Sequence, residues 1–372
     1  MGTGDDSSNK LNRFADAVSR GERGEVGNFD LWLEELGHDS GQVHVDKLTA
    51  WLRENPQYAV DQEDAIETIG EYVGFVRSRS VVFHIPLIGP DEIGKSQLLH
   101  TAIHLVAEFD EKADTVLLNA ETFGNRRDDR FVLDEEVDRV QQLDSPIVCI
   151  DDAHRDKRIG TSLEAFNGAV QSGLILTAWT PEGFSYYREA VNETFEPADL
   201  IRLNPFTTSA TETLVDRVMG RIDAPEAFPA ETVERIHEYS DGFPGLTVRL
   251  IVRSLHEAFL DGLDPGSVES VDAAADRMGL REIEQRVEGL TQAKLDLLRW
   301  ILLDHHPQGV QPGELVDKLG RDKSTISYHL RDLRDARLVE ANRDGRRAFY
   351  SVNPVVKPFV QRRIDEEGEY HA

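Results

Sequence analysis

Residues 89–96 read GPDEIGKS and match the pattern G-x-x-x-x-G-K-[ST] at every fixed position. The apolar run 81–88 precedes this motif, and residues 97–106 repeat Leu, Ile and Val at helical spacing. The motif therefore joins a strand to a helix, where backbone N–H groups and the helix N-terminus can surround a phosphate group. This context predicts a nucleotide phosphate site formed by Gly89, Pro90, Asp91, Glu92, Ile93, Gly94, Lys95, Ser96 and Gln97.

The side chains of this loop have separate expected roles. Lys95 is expected to reach the β and γ phosphates, and the Ser96 hydroxyl is expected to hold Mg²⁺. A chance match in a glycine-rich turn is the alternative, and the flanking strand and helix argue against it. Asp91 and Glu92 place two carboxylates near a polyanion, which could weaken nucleotide affinity at low salt.

Two later strands are predicted to bring polar residues to the same edge of a sheet. Residues 147–152 read IVCIDD, and ligands bind at the carboxyl ends of strands in open α/β sheets. We expect Asp151 to support Mg²⁺ and Asp152 to polarise an attacking water, the alternative being a solvated strand end. Residues 174–180 read LILTAWT, and Thr177 is expected to sense the γ-phosphate, although Thr is also a common strand residue. An arginine that neutralises the transferred phosphate could be any of Arg126, Arg127, Arg130, Arg155, Arg158 and Arg188.

The order of apolar runs predicts the domain organisation. Five short runs between 81 and 203 are separated by helical segments, which indicates a parallel sheet buried on both faces. After Pro205 the runs stop, and the capping-box pattern SATE at 209–212 opens a helical stretch. We predict an α/β P-loop core at 58–205, an all-α lid at 206–285 and a winged-helix domain at 286–363. A helical extension at 1–57, with no assigned role, and an acidic tail at 364–372 complete the chain.

Residues 290–363 have the pattern of a winged helix-turn-helix. Apolar residues mark three helices, and Ile326, Leu330 and Leu333 bury one face of the third. Its other face would enter the major groove of DNA, and a basic ribbon tip at 343–347 would reach phosphates or the minor groove. The expected DNA contacts are Lys323, Ser324, Thr325, Ser327, Tyr328 and Arg331 on the helix, and the wing arginines Arg343, Arg346 and Arg347. A winged helix used only for protein contacts is the alternative.

The charge distribution supports this assignment. The chain has 69 acidic and 41 basic residues and a net charge of −28, yet residues 290–363 contain 14 basic and 9 acidic side chains. The acidic average therefore hides a basic C-terminal module, as expected of a DNA-binding segment. Only 9 of the basic residues are Lys, a composition typical of salt-accumulating, halophilic organisms; an acidic cytosolic protein from a GC-rich genome is the alternative.

Other classes of protein are excluded by simple counts. The single Cys149 excludes a disulfide framework and a cysteine-based metal cluster. No apolar run reaches the ~20 residues that cross a bilayer, and residues 1–14 have no signal-peptide core. We therefore expect a soluble, cytoplasmic protein without a membrane partner.

Over residues 58–285 the chain resembles the AAA+ and STAND group of P-loop ATPases, on the residues 89–96, Asp151, Asp152 and Thr177. Residues 242–245 (GFPG) resemble the Gly-x-Pro motif of the helical lid in that group. A lid arginine that contacts the γ-phosphate is implied, and Arg249 is the nearest match, about a helical turn later than in origin-recognition proteins. The C-terminal segment looks like a winged helix of the ArsR or MarR type. The whole order is similar to archaeal origin-recognition proteins, which implies ATP, Mg²⁺, double-stranded DNA and a homo-oligomer in the ATP-bound state.

The leading hypothesis is a nucleotide-switched ATPase that binds DNA, as a transcription regulator or a replication-initiator-like factor. One alternative is a STAND-type signalling switch whose N-terminal region and winged helix contact protein partners. The other is a DNA-binding regulator whose P-loop binds ATP but barely hydrolyses it.

Overall fold

Five parallel strands and the helices that connect them form the α/β part of the described residues. The computed structural model describes residues 29–124, 129–195, 199–224, 228–303, 309–344, 347–353 and 356–369. The first two helices of the described residues are α1 (Phe29–Glu35) and α2 (Val45–Glu54). The α/β part follows with α3 (Glu63–Ser78), β1 (Val82–Ile88), α4 (Lys95–Phe109), β2 (Thr115–Asn119), α5 (Glu121–Gly124), α6 (Asp129–Gln141), β3 (Ile147–Asp151), α7 (Ile159–Ala169), β4 (Gly173–Trp179), α8 (Pro181–Thr194) and β5 (Ile201–Arg202).

The sheet order is β2-β3-β4-β1-β5, with every pairing parallel. Strand β4 therefore lies between β1, which leads into the phosphate loop, and β3, which ends at Asp151. This arrangement confirms the predicted P-loop α/β fold. It also brings the ends of β1 and β3 to one edge of the sheet, although they are not hydrogen-bonded neighbours.

Both faces of the sheet are buried, as the continuous apolar runs predict. One face packs on α3 and α4 through residues such as Ile85, Leu98 and Leu176. The other face packs on α7 and α8, where Phe166 and Trp179 are fully buried. Burial on both sides fixes the sheet, so the strand ends hold the site residues on a rigid support.

The lid helices pack with the N-terminal helices α1 and α2. The lid helices are α9 (Thr208–Arg221), α10 (Ala230–Ser240), α11 (Pro244–Asp261) and α12 (Val268–Met278). One compact unit groups the described residues up to Trp51 with 207–242 and 247–277, and within it the rings of Phe29 and Trp32 each lie 5.7 Å from that of Phe259. The hydroxyl of Thr207 caps α9, so this helix begins earlier than the SATE pattern suggested.

The C-terminal segment has the predicted winged-helix elements. These are α13 (Leu280–Glu288), α14 (Gln292–Leu303), α15 (Pro312–Leu319), α16 (Lys323–Asp335), β6 (Val339–Asp344), β7 (Arg347–Val352) and α17 (Lys357–Glu369). Strands β6 and β7 pair antiparallel. Helix α17 continues through most of the stretch predicted as an acidic tail. Residues 278–369 group with the sheet in the second compact unit.

Among the residues that the structure describes, no helix is both long and apolar enough to span a membrane.

Candidate functional site

The phosphate loop connects the end of β1 to the first turn of α4. Gly94 caps this helix with a φ of 101°, a left-handed conformation that favours glycine. The Lys95 side chain is buried, with 6 % of its surface exposed, and its ammonium group donates to the carbonyls of Gly89 (2.7 Å) and Pro90 (2.6 Å). The loop thus holds its lysine inward, where incoming phosphate oxygens could replace the two carbonyls as acceptors.

Two carboxylates lie at the end of β3. Asp151 accepts a 2.9 Å hydrogen bond from the backbone N–H of Asp152, which has a left-handed conformation (φ 51°). Burial, the largest effect, and the negative charge of Asp151 raise the pKa of Asp152 to about 6. The positive charge of Arg155 lowers this pKa. Two weaker effects follow: Lys95 lowers the pKa and Asp91 raises it. The carboxylate is therefore poised to exchange a proton near neutral pH, as a general base requires.

Of the six candidate arginines, Arg155 is the one with an ion pair to Asp152 among the described contacts. Its Nε lies 3.3 Å from Asp152 Oδ2, and it also pairs with Glu121. Arg188 is exposed on α8, and the backbone N–H of Arg158 donates to Asp156. Arg126 and Arg127, and the side chain of Arg130, lie outside the described residues.

The residues proposed for Mg²⁺ fit its chemistry. Ser96 and Asp151 offer a hydroxyl and a carboxylate, both half-buried, and oxygen ligands are those that Mg²⁺ prefers. No cluster of three or more His, Cys, Asp or Glu ligands occurs among the residues described. A site that takes one or two carboxylates and completes its shell with water and substrate phosphates needs no such cluster.

Thr177 does not lie where a γ-phosphate sensor is expected. It is fully buried within β4, opposite Pro86 of β1 and Ile150 of β3. Its hydroxyl accepts from Trp179 Nε1 at 2.6 Å and pairs with His84 Nε2 at 2.8 Å. Because burial lowers the pKa of His84 to about 3, the imidazole is neutral and can accept the hydroxyl proton. Thr177 thus links β4 to β1 inside the sheet, and this placement corrects the expectation.

A cleft of about 210 Å³ beside the loop was not expected from the sequence. It is lined by the start of α3, by Ile93 and by residues 202–204 and 206. Gln62 is buried there; its Nε2 lies 3.5 Å from the Gly94 carbonyl, and its Oε1 has no hydrogen-bond partner among the described residues. Ligand pockets usually measure about 300–1,000 Å³, so this cleft has room for one part of a nucleotide.

The lid motif reaches the phosphate loop at Gly245. The backbone N–H of Gly245 donates to the Glu92 carbonyl at 3.2 Å, and a Cβ on Gly245 would stand 2.7 Å from the Glu92 Cβ. The absence of a side chain therefore permits this close approach. Arg249, the expected γ-phosphate sensor, is half-buried on α11 in the part that groups with the lid unit.

A second candidate site is the exposed face of α16. Lys323, Ser327 and Arg331 are exposed, and Tyr328 has 62 % of its surface in solvent. The hydroxyls of Ser324 and Thr325 instead bond to Asp322, the N-cap of the helix. These two bonds hold the pKa of Asp322 below its usual range. Asp322 caps the helix by accepting from the Thr325 N–H, and the Ser324 and Thr325 hydroxyls donate to the same carboxylate, whereas the other predicted contacts on this face are exposed.

The wing arginines lie around the tip of the β6–β7 ribbon. Arg347 is exposed at the start of β7. The backbone of Arg343 is in β6, while its side chain and all of Arg346 lie outside the described residues.

Known proteins share parts of this arrangement. Residues 288–348 match the MarR family model. A 172-residue segment is 24 % identical to an uncharacterized HTH-type transcriptional regulator of Methanocaldococcus jannaschii, covering 45 % of this chain and 42 % of the regulator. The chain therefore spans less than half the length of that relative.

Two solved structures from Aeropyrum pernix cover most of the chain. The ORC1 protein in complex with DNA has a TM-score of 0.52 at 14 % identity, covering 83 % of this chain and 93 % of that one. The ORC2 protein in its ADP form has a TM-score of 0.50 at 16 % identity, covering 84 % and 95 %. The fold and the site define a P-loop α/β core followed by helices and a C-terminal winged helix. The chain combines a fold similar to those of the two ORC proteins with a segment that matches the MarR family model, which confirms the predicted layout.

Proposed function

We propose that this chain binds and hydrolyses ATP, and that the bound nucleotide changes how its winged helix meets double-stranded DNA. The observation that supports the first part is the meeting of the phosphate loop and the β3 carboxylates at one sheet edge. Lys95 and Asp91 lie close enough to Asp152 to affect its pKa.

The chemistry follows from the groups at this edge. Lys95 would exchange its two carbonyl partners for β- and γ-phosphate oxygens. Ser96 and Asp151 would hold Mg²⁺, which neutralises charge on the transferred phosphate. Above about pH 6 Asp152 is ionised and can accept a proton from the water that attacks the γ-phosphorus, as the bond to ADP breaks.

The cleft at Gln62 supports adenine as the base. The contact of Gln62 Nε2 with the Gly94 carbonyl orients the Gln62 amide so that its Oε1 is the available acceptor. The N6 amino group of adenine can donate to such an oxygen, whereas guanine presents its own acceptor, O6, at that position.

The DNA part of the proposal assigns two kinds of contact. Lys323, Ser327, Tyr328 and Arg331 would face base edges, and the wing arginines would contact phosphates. Support comes from the MarR match, from the regulator of M. jannaschii and from ORC1, whose solved structure contains DNA. In the ATP-bound state the chain would form a homo-oligomer that acts on DNA in transcription or in replication.

The test uses the full chain and a fluorescent ATP analogue. Lys95→Met retains the aliphatic stem but removes the ammonium, and we expect nucleotide affinity to fall at least about 100-fold. Lys112→Met removes an exposed lysine after α4 and is the matched control. Tight binding by a folded Lys95→Met protein would reject the phosphate-loop assignment.

One observation favours a second candidate, a regulator that binds ATP but hydrolyses it slowly. The Asp152 carboxylate is already paired through Oδ2 with Arg155, and this cation makes the carboxylate a weaker base towards an attacking water. ATP turnover measured with and without duplex DNA separates the two: DNA-stimulated turnover supports the ATPase, and bound but stable ATP supports the slow regulator.

A further inference from the structure

An ion pair connects the winged-helix region to the phosphate loop. Lys357 is the first residue of α17, and its Nζ lies 3.0 Å from Oδ2 of Asp91. Both side chains are about three-quarters buried, with 26 % and 23 % exposed. Exposed ion pairs contribute little on their own, but this one is partly desolvated and lies beside the expected position of a polyanion.

Asp91 remains a carboxylate in this position. Burial opposes its ionisation, yet the cations of Lys357 and Lys95, together with His154, hold the Asp91 pKa below its usual range. A negative charge in the loop would repel nucleotide phosphates. Lys357, which does not belong to the P-loop motif, neutralises the negative charge of Asp91.

A second contact anchors the same region to the α/β core. The ring of Tyr186 on α8 meets that of Trp300 on α14 edge to face, with centroids 6.0 Å apart. Lys318 Nζ donates to the Tyr186 hydroxyl at 3.3 Å and lies 5.1 Å from the Trp300 ring centroid. The ion pair of Lys357 therefore belongs to an interface with two separate points of attachment.

We propose that Lys357 is a positioning residue of the nucleotide site, supplied by the winged-helix region, which acts by neutralising Asp91. Nucleotide binds more tightly when Lys357 is docked. By reciprocity, bound nucleotide favours the docked position of α17. This inference rests on the proposed nucleotide binding and gives it a physical route to the DNA-binding module.

The first test measures Mg·ATP affinity of the full chain at fixed salt. Lys357→Met is expected to weaken binding about 5- to 150-fold, the usual range of a coupling between sites. Lys357→Arg retains the charge and should restore most of the affinity. Lys294→Met is the control, because it breaks a lysine–aspartate pair with Asp332 inside the same module, at a similar lysine exposure of 22 %.

If Lys357 acts by neutralising Asp91, the effect of Lys357→Met must depend on the Asp91 charge, which a double mutant tests. In an Asp91→Asn background there is no charge to neutralise, so Lys357→Met should change affinity less than about twofold. An equal loss in both backgrounds would refute the action through Asp91. Equal affinity of wild type and Lys357→Met would refute the role of Lys357 altogether. No nucleotide binding by the wild type would overturn this inference and the proposed function together, so the two failures are distinguishable.

Hydrogen exchange gives a readout that a merely structural role would not change. Added Mg·ATP should slow amide exchange in residues 357–364 of the wild type and of Lys357→Arg, but not of Lys357→Met. Unchanged exchange in the wild type on saturation with nucleotide would contradict the predicted docking.

Discussion

Replacing Asp152 with Asn should stabilise the folded protein at neutral pH while it slows ATP hydrolysis. The side chain is largely buried, with 26 % exposed, and its pKa is raised from 3.8 to about 6. A carboxyl with a raised pKa binds its proton more tightly in the folded state. Its contribution to stability is therefore complete below about pH 4 and is lost as the pH rises through 6.

The size of this effect follows from the shift. About two pKa units at 1.36 kcal/mol each give ~3 kcal/mol lost by the wild type at high pH. Roughly half of that loss falls between pH 5 and pH 8. Asn does not titrate, so the stability advantage of the variant should grow by about 1.4 kcal/mol over this interval. For a unit of this size the growth corresponds to a melting-temperature difference of about 3–6 °C.

The assay is thermal unfolding at pH 5, 6, 7 and 8, in EDTA and without nucleotide, since a bound cation would favour the ionised carboxylate. The exposed Asp138→Asn on α6 controls for the loss of one negative charge. A difference between Asp152→Asn and wild type that is constant across this pH range would refute the argument, because it would mean that Arg155 fully compensates the buried charge. In parallel, the variant should retain ATP and cleave it far more slowly; unchanged turnover would assign the water-activating role to another residue.

Three further predictions concern the base and the DNA. Gln62→Leu should lower ATP affinity and reduce the preference for ATP over GTP, whereas the exposed Gln57→Leu should do neither; an unchanged preference would assign base selection to other groups. Replacing all three wing arginines should weaken binding similarly on every duplex and flatten the plot of log K against log salt by about 0.9 per lost contact. Tyr328→Ala and Arg331→Ala should instead change sequence preference, by about 1–3 kcal/mol per lost base contact. A uniform loss from the last two variants would show that they contact the DNA backbone.

The parts of the fold that depend on residues close together in the sequence were predictable from the sequence. The phosphate loop, the acidic end of β3 and the polar face of α16 are all continuous stretches, and the structure has each on the predicted element. Thr177 shows where this approach fails. Its role depends on where β4 ends, and two more residues continue the strand to Trp179, which places Thr177 inside the sheet.

The hydroxyls at the start of α16 show a different difficulty. The Ser324 and Thr325 hydroxyls suit both a DNA contact and a bond to the N-cap carboxylate of Asp322, and the sequence pattern is the same for both. Asp322 determines which bond forms, because an ionised carboxylate two or three residues away is a strong acceptor that is present without DNA.

The two acidic residues of the phosphate loop show why contacts between distant residues cannot be derived from local sequence. In the motif alone, Asp91 and Glu92 can only weaken the binding of a polyanion. In the folded chain each has a partner far along the sequence: Lys357 pairs with the Asp91 carboxylate, and Gly245 packs against Glu92 and donates to its carbonyl. Both partners begin helices, α17 of the winged-helix region and α11 of the lid. The same loop therefore contacts the first residue of α17 through the Asp91 carboxylate and the start of α11 through the Glu92 backbone.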